Sequence, residues 1–343
     1  MRADVLADAD WVLSTQLADG GLAHFPDKVH VNPYFANLAA LGLARATEMS
    51  GNPVYAEAVW DWLDWYAAHM DASGFVTDYN VAPVTQALTS TGSMDSTDSY
   101  AGTFLHAAHK VWKVTGNGAR LAALSAGLAG AVTAIEATQE PDGLTWAKPT
   151  YKVKYLMDQS EAWAGLQAAY VLAGVIGDTA LRTRALAGAR AMAAGVATLW
   201  NAGTGTYDWA RFENGTHAVV NWSVMYPDST SQVWPVAFGL VRGPRAKGLV
   251  DKFDTLQPLW DQSGYEVVAG WAFAQAGKVA GYLPDGGWAL PRTKSARRAL
   301  TAAGRIRARA ISTSRAWPHH TGIGGELIVL ESADSSYLAP LTL

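Results

Sequence analysis

Residues 156–179, LMDQSEAWAGLQAAYVLAGVIGDT, contain the signals that decide the fold. Apolar residues recur at helical spacing through residue 176. Gly177 can then end the helix in a left-handed turn, and Asp178 can cap the next helix at once. A glycine that can end one helix is likewise followed by a residue that can begin the next at Gly51-Asn52, Gly116-Asn117 and Gly243-Pro244. These stretches predict pairs of antiparallel helices joined by very short turns.

The same interpretation along the whole chain predicts twelve helices and almost no strand. The predicted helices cover residues 3–17, 33–50, 53–70, 96–116, 118–139, 156–177, 179–200, 228–241, 244–261, 265–280, 294–313 and 318–332. Residues 206–210 and 218–224 alternate in the manner of strands and favour a hairpin within a loop.

Short turns alternate with long loops, so the short turns should lie at one end of the molecule and the long loops at the other. Six such hairpins can close into a ring in which each pair packs on its neighbours. We therefore expect one all-α domain over residues 1–343, an (α/α)6 barrel with long loops on one face. The long loops precede the even-numbered helices, whose N-termini should converge on one functional mouth.

Composition excludes several classes of function. The chain has 343 residues, no Cys and a formal net charge of −4. These values argue against thiol catalysis, Cys-ligated metals and a nucleic-acid partner. No apolar run reaches the roughly 18 residues needed to span a membrane. We expect a monomer without metal or cofactor, either cytoplasmic or extracellular after removal of a signal peptide.

Acidic residues begin three of the even-numbered helices. Asp95 and Asp98 lie at the start of the fourth, Asp158 and Glu161 at the start of the sixth, and Asp228 at the start of the eighth. Each could act only as a helix cap, since the spacing is that of a capping box. Facing one cleft, however, such carboxyls could provide the acid and the base that cleave an acetal bond. All five are therefore catalytic candidates.

Aromatic and amide side chains near the same mouth are candidates for binding a sugar, because rings stack on sugar faces and amides bind hydroxyls. The candidates are Asn32, Tyr34, Tyr79, Asn80, Trp146, Tyr155, Trp222, Tyr226, Gln232, Trp234, Trp288, His319 and His320. Trp146 and Trp222 lie in long loops and could either stack on a sugar or anchor those loops. His319 and His320 are adjacent in sequence, which does not favour a metal site.

The Gly-punctuated hairpins, together with the Asp-Gly loops at residues 16–21 and 140–146, resemble those of the six-hairpin, (α/α)6-barrel glycosidase superfamily. Residues 155–159, YLMDQ, look like the segment that carries the catalytic acid in unsaturated glucuronyl and rhamnogalacturonyl hydrolases. The resemblance implies a glycoside hydrolase acting on an oligo- or polysaccharide, with Asp158 as a catalytic residue. The His and Arg pattern that binds uronate in those hydrolases is not evident, so their substrate does not transfer.

Three alternatives remain open at this stage. A polysaccharide lyase of the same fold would use Tyr with His or Asn, and Tyr79, Tyr226, His319 and His320 keep this possibility open. Asp95–Asp98 faintly resembles the acidic motif of class II terpene cyclases. A toroid that binds glycans without catalysis would need only the aromatic and amide side chains.

Overall fold

The structure is a computed structural model, which describes residues 2–260 and 320–331. Helices form most of this part of the chain. Their bounds are α1 Arg2–Ser14, α2 Pro33–Ser50, α3 Pro53–Ala68, α4 Asp98–Thr115, α5 Gly118–Ala123, α6 Ser125–Glu136, α7 Leu156–Ile176, α8 Thr179–Thr198, α9 Trp234–Ala237, α10 Gly243–Leu256 and α11 Thr321–Glu331.

The short turns form as the sequence predicts. Gly51, Gly116 and Gly177 have φ values of 73°, 63° and 76°, in the left-handed region that glycine tolerates best. The next helices start at once, with Asn52 and Asp178 accepting hydrogen bonds from backbone N–H groups of the first turns of α3 and α8. The α2–α3 and α7–α8 hairpins are thereby fixed by their own sequence.

Two predicted helices are interrupted. The helix expected over 118–139 is divided at Leu124, whose φ of −80° and ψ of 0° depart from the helical conformation. The helix expected over 228–241 is instead two irregular turns, Met225–Ser229 and Thr230–Gln232, followed by the short α9. Pro235 contributes to this break, because proline lacks the N–H that a continuous helix requires. The helices predicted over 265–280 and 294–313 lie outside the described residues.

Short antiparallel strands pair within the long loops. The strands are β1 His30–Val31, β2 Tyr79–Val81, β3 Leu88–Ser90, β4 Val153–Tyr155, β5 Trp200–Asn201, β6 Thr206–Tyr207, β7 Ala210–Phe212 and β8 His217–Ala218. Within residues 2–260 they form three sheets, β1-β2-β3, β4-β7-β8 and β5-β6. Of the hairpin predicted from residues 206–210 and 218–224, only Ala210 and Ala218 pair with each other, within β7-β8. Residues 206–207 pair with β5 instead. β4 leads directly into α7, so this sheet positions the start of that helix.

Among the described helices, the inner ones are α2, α4, α7 and α11, which are buried along most of their length. α4 packs between α2 and α7, while α11 packs against α1 and α2. The Thr321 N–H donates to the His24 carbonyl at 3.0 Å, which ties α11 to the loop after α1. The last described helix therefore closes onto the first hairpin, as a ring requires.

Candidate active site

A cavity opens among the N-terminal ends of α2, α4 and α7 and reaches α11. Its enclosed volume is about 130 Å³. We call it the carboxylate chamber. It is lined by Asn32, Tyr34, Phe35, Asp95, Ser99, Tyr100, Met157, Asp158, Glu161, Tyr226, Trp234 and Glu326. Four carboxyl groups thus face one space.

Glu161 lies on the first turns of α7 and is buried. One of its carboxylate oxygens accepts hydrogen bonds from the Tyr34 hydroxyl at 2.7 Å and the Trp234 indole N–H at 3.0 Å. Burial raises its pKa to about 8, although these two donors oppose the rise by favouring the charged form. Glu161 is therefore held in one position and titrates near neutral pH.

Glu326 faces the chamber from α11 and is also buried. Neither of its carboxylate oxygens has a hydrogen-bond partner within the described residues. Burial, and then the charge of Glu161, raise its pKa well above the usual range. Two like charges so close in a poorly solvated site disfavour each other, so the pair retains a proton near neutral pH.

Asp158 precedes Glu161 by three residues on α7, which places both side chains on the same helix face. It is half-buried. Burial raises its pKa well above the usual range, and the charges of Asp98, Glu161 and Asp95 raise it further. Its surroundings therefore favour the protonated form, which can donate a proton.

A second cavity adjoins the first, and we call it the aromatic chamber. Its residues are Asp95, Ser96, Ala147, Lys148, Tyr151, Tyr155, Met157, Asp158, Trp209, Tyr226 and Pro227. Asp95, Met157, Asp158 and Tyr226 line both chambers. These four residues mark the junction, so a ligand can extend from one chamber into the other past Asp158.

Of the catalytic candidates, Asp95, Asp158 and Glu161 line the chambers, whereas Asp98 and Asp228 do not. Asp98 is buried beneath them and accepts hydrogen bonds from the Thr145 hydroxyl at 2.6 Å and the Ser99 N–H at 2.8 Å. Burial raises its pKa to about 7. Asp228 accepts from the Asn221 N–H at 2.8 Å and so fixes its own loop.

The binding candidates divide in the same way. Those that line a chamber are Asn32, Tyr34, Tyr155, Tyr226 and Trp234. Those that line neither are Tyr79, Asn80, Trp146, Trp222, Gln232 and His320. Trp288 and His319 lie outside the described residues.

The two loop tryptophans have other neighbours than the chambers. The Lys154 ammonium lies 4.2 Å from the centre of a Trp146 ring, and Lys154 is itself paired with Asp142. The Trp222 carbonyl accepts a hydrogen bond from Gln257 at 2.6 Å. The Lys252 ammonium also lies 5.6 Å from the centre of a Trp222 ring, so each tryptophan ring has a lysine neighbour outside the chambers.

The remaining four candidates have structural contacts as well. The Gln232 side chain bonds both the N–H and the carbonyl of Tyr207. Tyr79 packs against Trp65, and Asn80 is paired within the β1-β2-β3 sheet. His320 stacks on His24 with ring centres 4.7 Å apart.

Sequence reasoning missed Glu326, Lys148 and Trp209. Glu326 has a signal in hindsight, because it is the only charged residue in the apolar run of residues 321–330. Glu is rarely buried unless it is paired or functional. Lys148 and Trp209 have no comparable signal, since loop pairing alone brings them to the aromatic chamber.

No protein-family model and no curated protein sequence matches this chain. Several solved structures do match it. A GH63 mannosylglycerate hydrolase from Thermus thermophilus, in complex with glucose, matches at 11% identity and a TM-score of 0.63, over 95% of this chain and 98% of that one. A glycosidase variant matches at 14% identity and a TM-score of 0.67, over 99% of this chain and 97% of that one. The fold is that of the (α/α)6-barrel glycosidases.

A GH78 rhamnosidase from a Bacillus species matches at 13% identity and a TM-score of 0.57. That match covers 95% of this chain and 34% of the rhamnosidase, so the barrel is one part of a longer protein there. These neighbours are glycoside hydrolases, and they establish the predicted all-α (α/α)6 architecture for this chain.

Two further observations concern residues 2–260 and 320–331 alone. None of their helices combines the length and the apolar character needed to cross a bilayer. They bring together no group of three or more His, Asp or Glu side chains suited to hold a metal ion.

Proposed function

We propose that the protein is a glycoside hydrolase that cleaves an O-glycosidic bond of an oligo- or polysaccharide without a metal or cofactor. One observation carries the proposal: Asp158, Glu161 and Glu326 face one chamber, and all three have raised pKa values. Glycoside hydrolysis requires one carboxyl that is protonated and one that is charged at the working pH. Coupled carboxyls that titrate at different pH values meet this requirement.

Asp158 is the general acid in this mechanism. The acid must reach the oxygen that links the two halves of the substrate, and Asp158 lines the junction between the chambers. Its raised pKa favours the protonated form that a general acid requires. As the bond from the anomeric carbon to the leaving oxygen breaks, the Asp158 proton passes to that oxygen.

The Glu161–Glu326 pair is the base. The first ionisation gives the pair one negative charge, which the donors Tyr34 and Trp234 stabilise on Glu161. Glu326 has no protein partner within the described residues and can hold the attacking water. The pair takes one proton from that water as its oxygen bonds to the anomeric carbon.

The remaining lining residues suit a sugar ring. The Asn32 amide donates to Asp78 and the Tyr100 hydroxyl, which fixes it at the N-terminus of α2. Tyr34 and Trp234 add aromatic surface beside Glu161. A sugar needs this combination of apolar faces and fixed polar groups.

A lyase of the same fold is less well supported. Of the residues expected for it, Tyr79 and His320 line neither chamber, and His319 lies outside the described residues. Tyr226 would therefore have to act without a described histidine beside it. A hydrocarbon substrate, as in terpene cyclases, would place four carboxyl groups against an apolar ligand, which is costly.

The test is hydrolysis of a panel of glucosides, mannosides, galactosides and rhamnosides by the parent and by four variants. Asp158→Asn, Glu161→Gln and Glu326→Gln should each lower kcat by roughly 10²–10⁴-fold. Asp228→Asn, which alters an acidic residue outside the chambers, should stay within a few fold. Full turnover by all three chamber variants, or no hydrolysis of any panel member by the parent, would refute the proposal.

A further inference from the structure

The aromatic chamber has a composition that the hydrolytic chemistry does not explain. We propose that it binds the leaving group, and that this group is an uncharged pyranose sugar. The inference rests on the proposed function and deepens it, because it names the chemical class on the far side of the cleaved bond. It assigns Trp209 and Lys148 as the residues that recognise that class.

Trp209 and Tyr155 provide an apolar face. Their rings are nearly parallel, at 8°, with centres 5.9 Å apart. Both are only half-buried, so ring surface remains open to the chamber. The apolar C–H face of a pyranose can cover such a surface, as aromatic rings cover other flat apolar groups.

The platform is held rigidly at the start of α7. The backbone N–H of Trp209 donates to the Ala218 carbonyl at 2.9 Å, and the backbone carbonyl of Trp209 accepts from the Leu156 N–H at 2.9 Å. The Tyr155 hydroxyl lies 3.0 Å from that of Tyr151. Since Asp158 follows two residues after Leu156, ring and acid are positioned by the same short segment. A platform that is fixed before binding loses less entropy when the sugar arrives.

Lys148 gives the chamber a polar edge. Its ammonium donates to the Met94 carbonyl at 2.6 Å and makes no ion pair with a carboxylate within the described residues. Asp95 lines the same chamber. An ammonium can donate to sugar hydroxyls, and a carboxylate can accept from them. With Asp158 protonated as the proposed acid, one positive and one negative group remain in the lining and their charges balance. This balance favours a neutral sugar over a uronate or a phosphate.

The two chambers meet at Asp158, so a ring on Trp209 and a ring beside Glu161 would be joined by a bond near the acid. The test compares two substrates that share the sugar cleaved from its leaving group. One is the best disaccharide among maltose, cellobiose, mannobiose and rhamnosyl-glucose. The other is the matching glycosyl fluoride, whose leaving group is too small to reach the platform.

Trp209→Ala and Lys148→Met should each lower kcat/KM for the disaccharide by roughly tenfold. Both should leave kcat/KM for the fluoride within about twofold. Trp222→Ala is the matched control, because it removes a half-buried tryptophan outside both chambers. Equal losses on both substrates, or no loss on the disaccharide, would overturn the inference.

A binding measurement separates this inference from the proposed function. Saturation-transfer NMR with the same four disaccharides reports binding whether or not the bond is cleaved. Signal transfer that is lost in Trp209→Ala and kept in Trp222→Ala supports the aromatic chamber, even if the parent hydrolyses nothing. Transfer that Trp209→Ala leaves unchanged, or no transfer from any disaccharide to the parent, overturns it.

Discussion

At the scale of single residues, the candidate site combines burial with negative charge. Glu161 and Glu326 are each only 2% exposed, and no described lysine or arginine pairs with either. A buried carboxyl without a cation is protonated more readily than one in water. The groups proposed to catalyse the reaction should therefore reduce the stability of the fold when they ionise.

Glu326→Gln should stabilise the protein at pH 8 and have little effect at pH 5. The folded-state pKa of Glu326 lies well above its unfolded value near 4.3, so the folded state binds more protons between these pH values. Folding stability consequently falls as pH rises through this window, and a neutral amide does not share the loss. Thermal melts at both pH values should show the Tm of the variant higher by a few degrees at pH 8 only.

The control for this comparison is Glu213→Gln, at an exposed residue paired with Lys152 on the surface. Its Tm should change by the same small amount at pH 5 and pH 8. A Glu326→Gln variant that melts below the parent at pH 8 would show that the Glu326 carboxylate stabilises the fold. That result would contradict the expectation that ionising this buried group lowers folding stability.

The sequence predicted the acidic residues of α7 more fully than those of α11. Asp158 and Glu161 stand at capping spacing beside aromatic residues, a pattern visible in one helix start. Glu326 follows two glycines within a long apolar run, where no local rule assigns it to a site. Its role depends on the closing of α11 onto α2, a long-range contact that periodicity alone does not give.

At the scale of elements, glycines inside helices bring the inner helices together. Gly102 on α4 lies so close to α7 that an added methyl group would stand 2.7 Å from the Glu161 carbonyl oxygen. Gly42 on α2 is equally close to Gly325 on α11. The sequence shows these glycines, but not which helices they join, because the pairing depends on the order of helices around the ring.

Gly102→Ala should destabilise the protein by about 1–3 kcal/mol, the usual cost of overpacking a close contact. It should also lower activity, because α7 must shift and Glu161 shifts with it. Gly248→Ala, on the exposed face of α10, is the matched control: nothing lies within 4 Å of its added methyl group, and alanine favours the helix by up to about 1 kcal/mol. Urea unfolding of the two variants measures the difference.

If Gly102→Ala is as stable as Gly248→Ala, α4 and α7 are not packed as closely as described. If it is destabilised but retains full activity, the position of Glu161 is not sensitive to the α4–α7 spacing. These outcomes test the packing and the site separately.

The long loops were harder to predict than the helices. Trp146 and Trp222 were both expected near the cleft, yet the aromatic face of the second chamber comes from Trp209 and Tyr155. The reason is that β4 pairs with β7, which brings residue 209 beside residue 155 across a long separation in sequence. Short strands of this kind leave a weak alternating pattern, so their partners cannot be inferred from the sequence alone.

At the scale of the whole molecule, the ring explains why the two proposed catalytic elements are far apart in sequence. α7 and α11 both belong to the inner layer. α7 packs against α4, and α11 packs against α2. The N–H of Thr321 and its hydroxyl bond to the loop after α1, joining the last described helix to the first hairpin. A site assembled across the ring should therefore exist only when the ring is closed.

Closure predicts that the chain unfolds as one unit, which also tests the expectation of a single domain over residues 1–343. In a closed ring each hairpin is supported on both sides, so losing one exposes the apolar faces of two neighbours. Helix content by far-UV circular dichroism and tryptophan fluorescence should then change with the same midpoint in urea, since Trp60, Trp163 and Trp234 report from different hairpins. The same midpoint should apply to loss of hydrolysis of the best glycoside. Two separated transitions, with hydrolysis lost in the first and most helix retained until the second, would mean that the site belongs to a smaller unit than the ring.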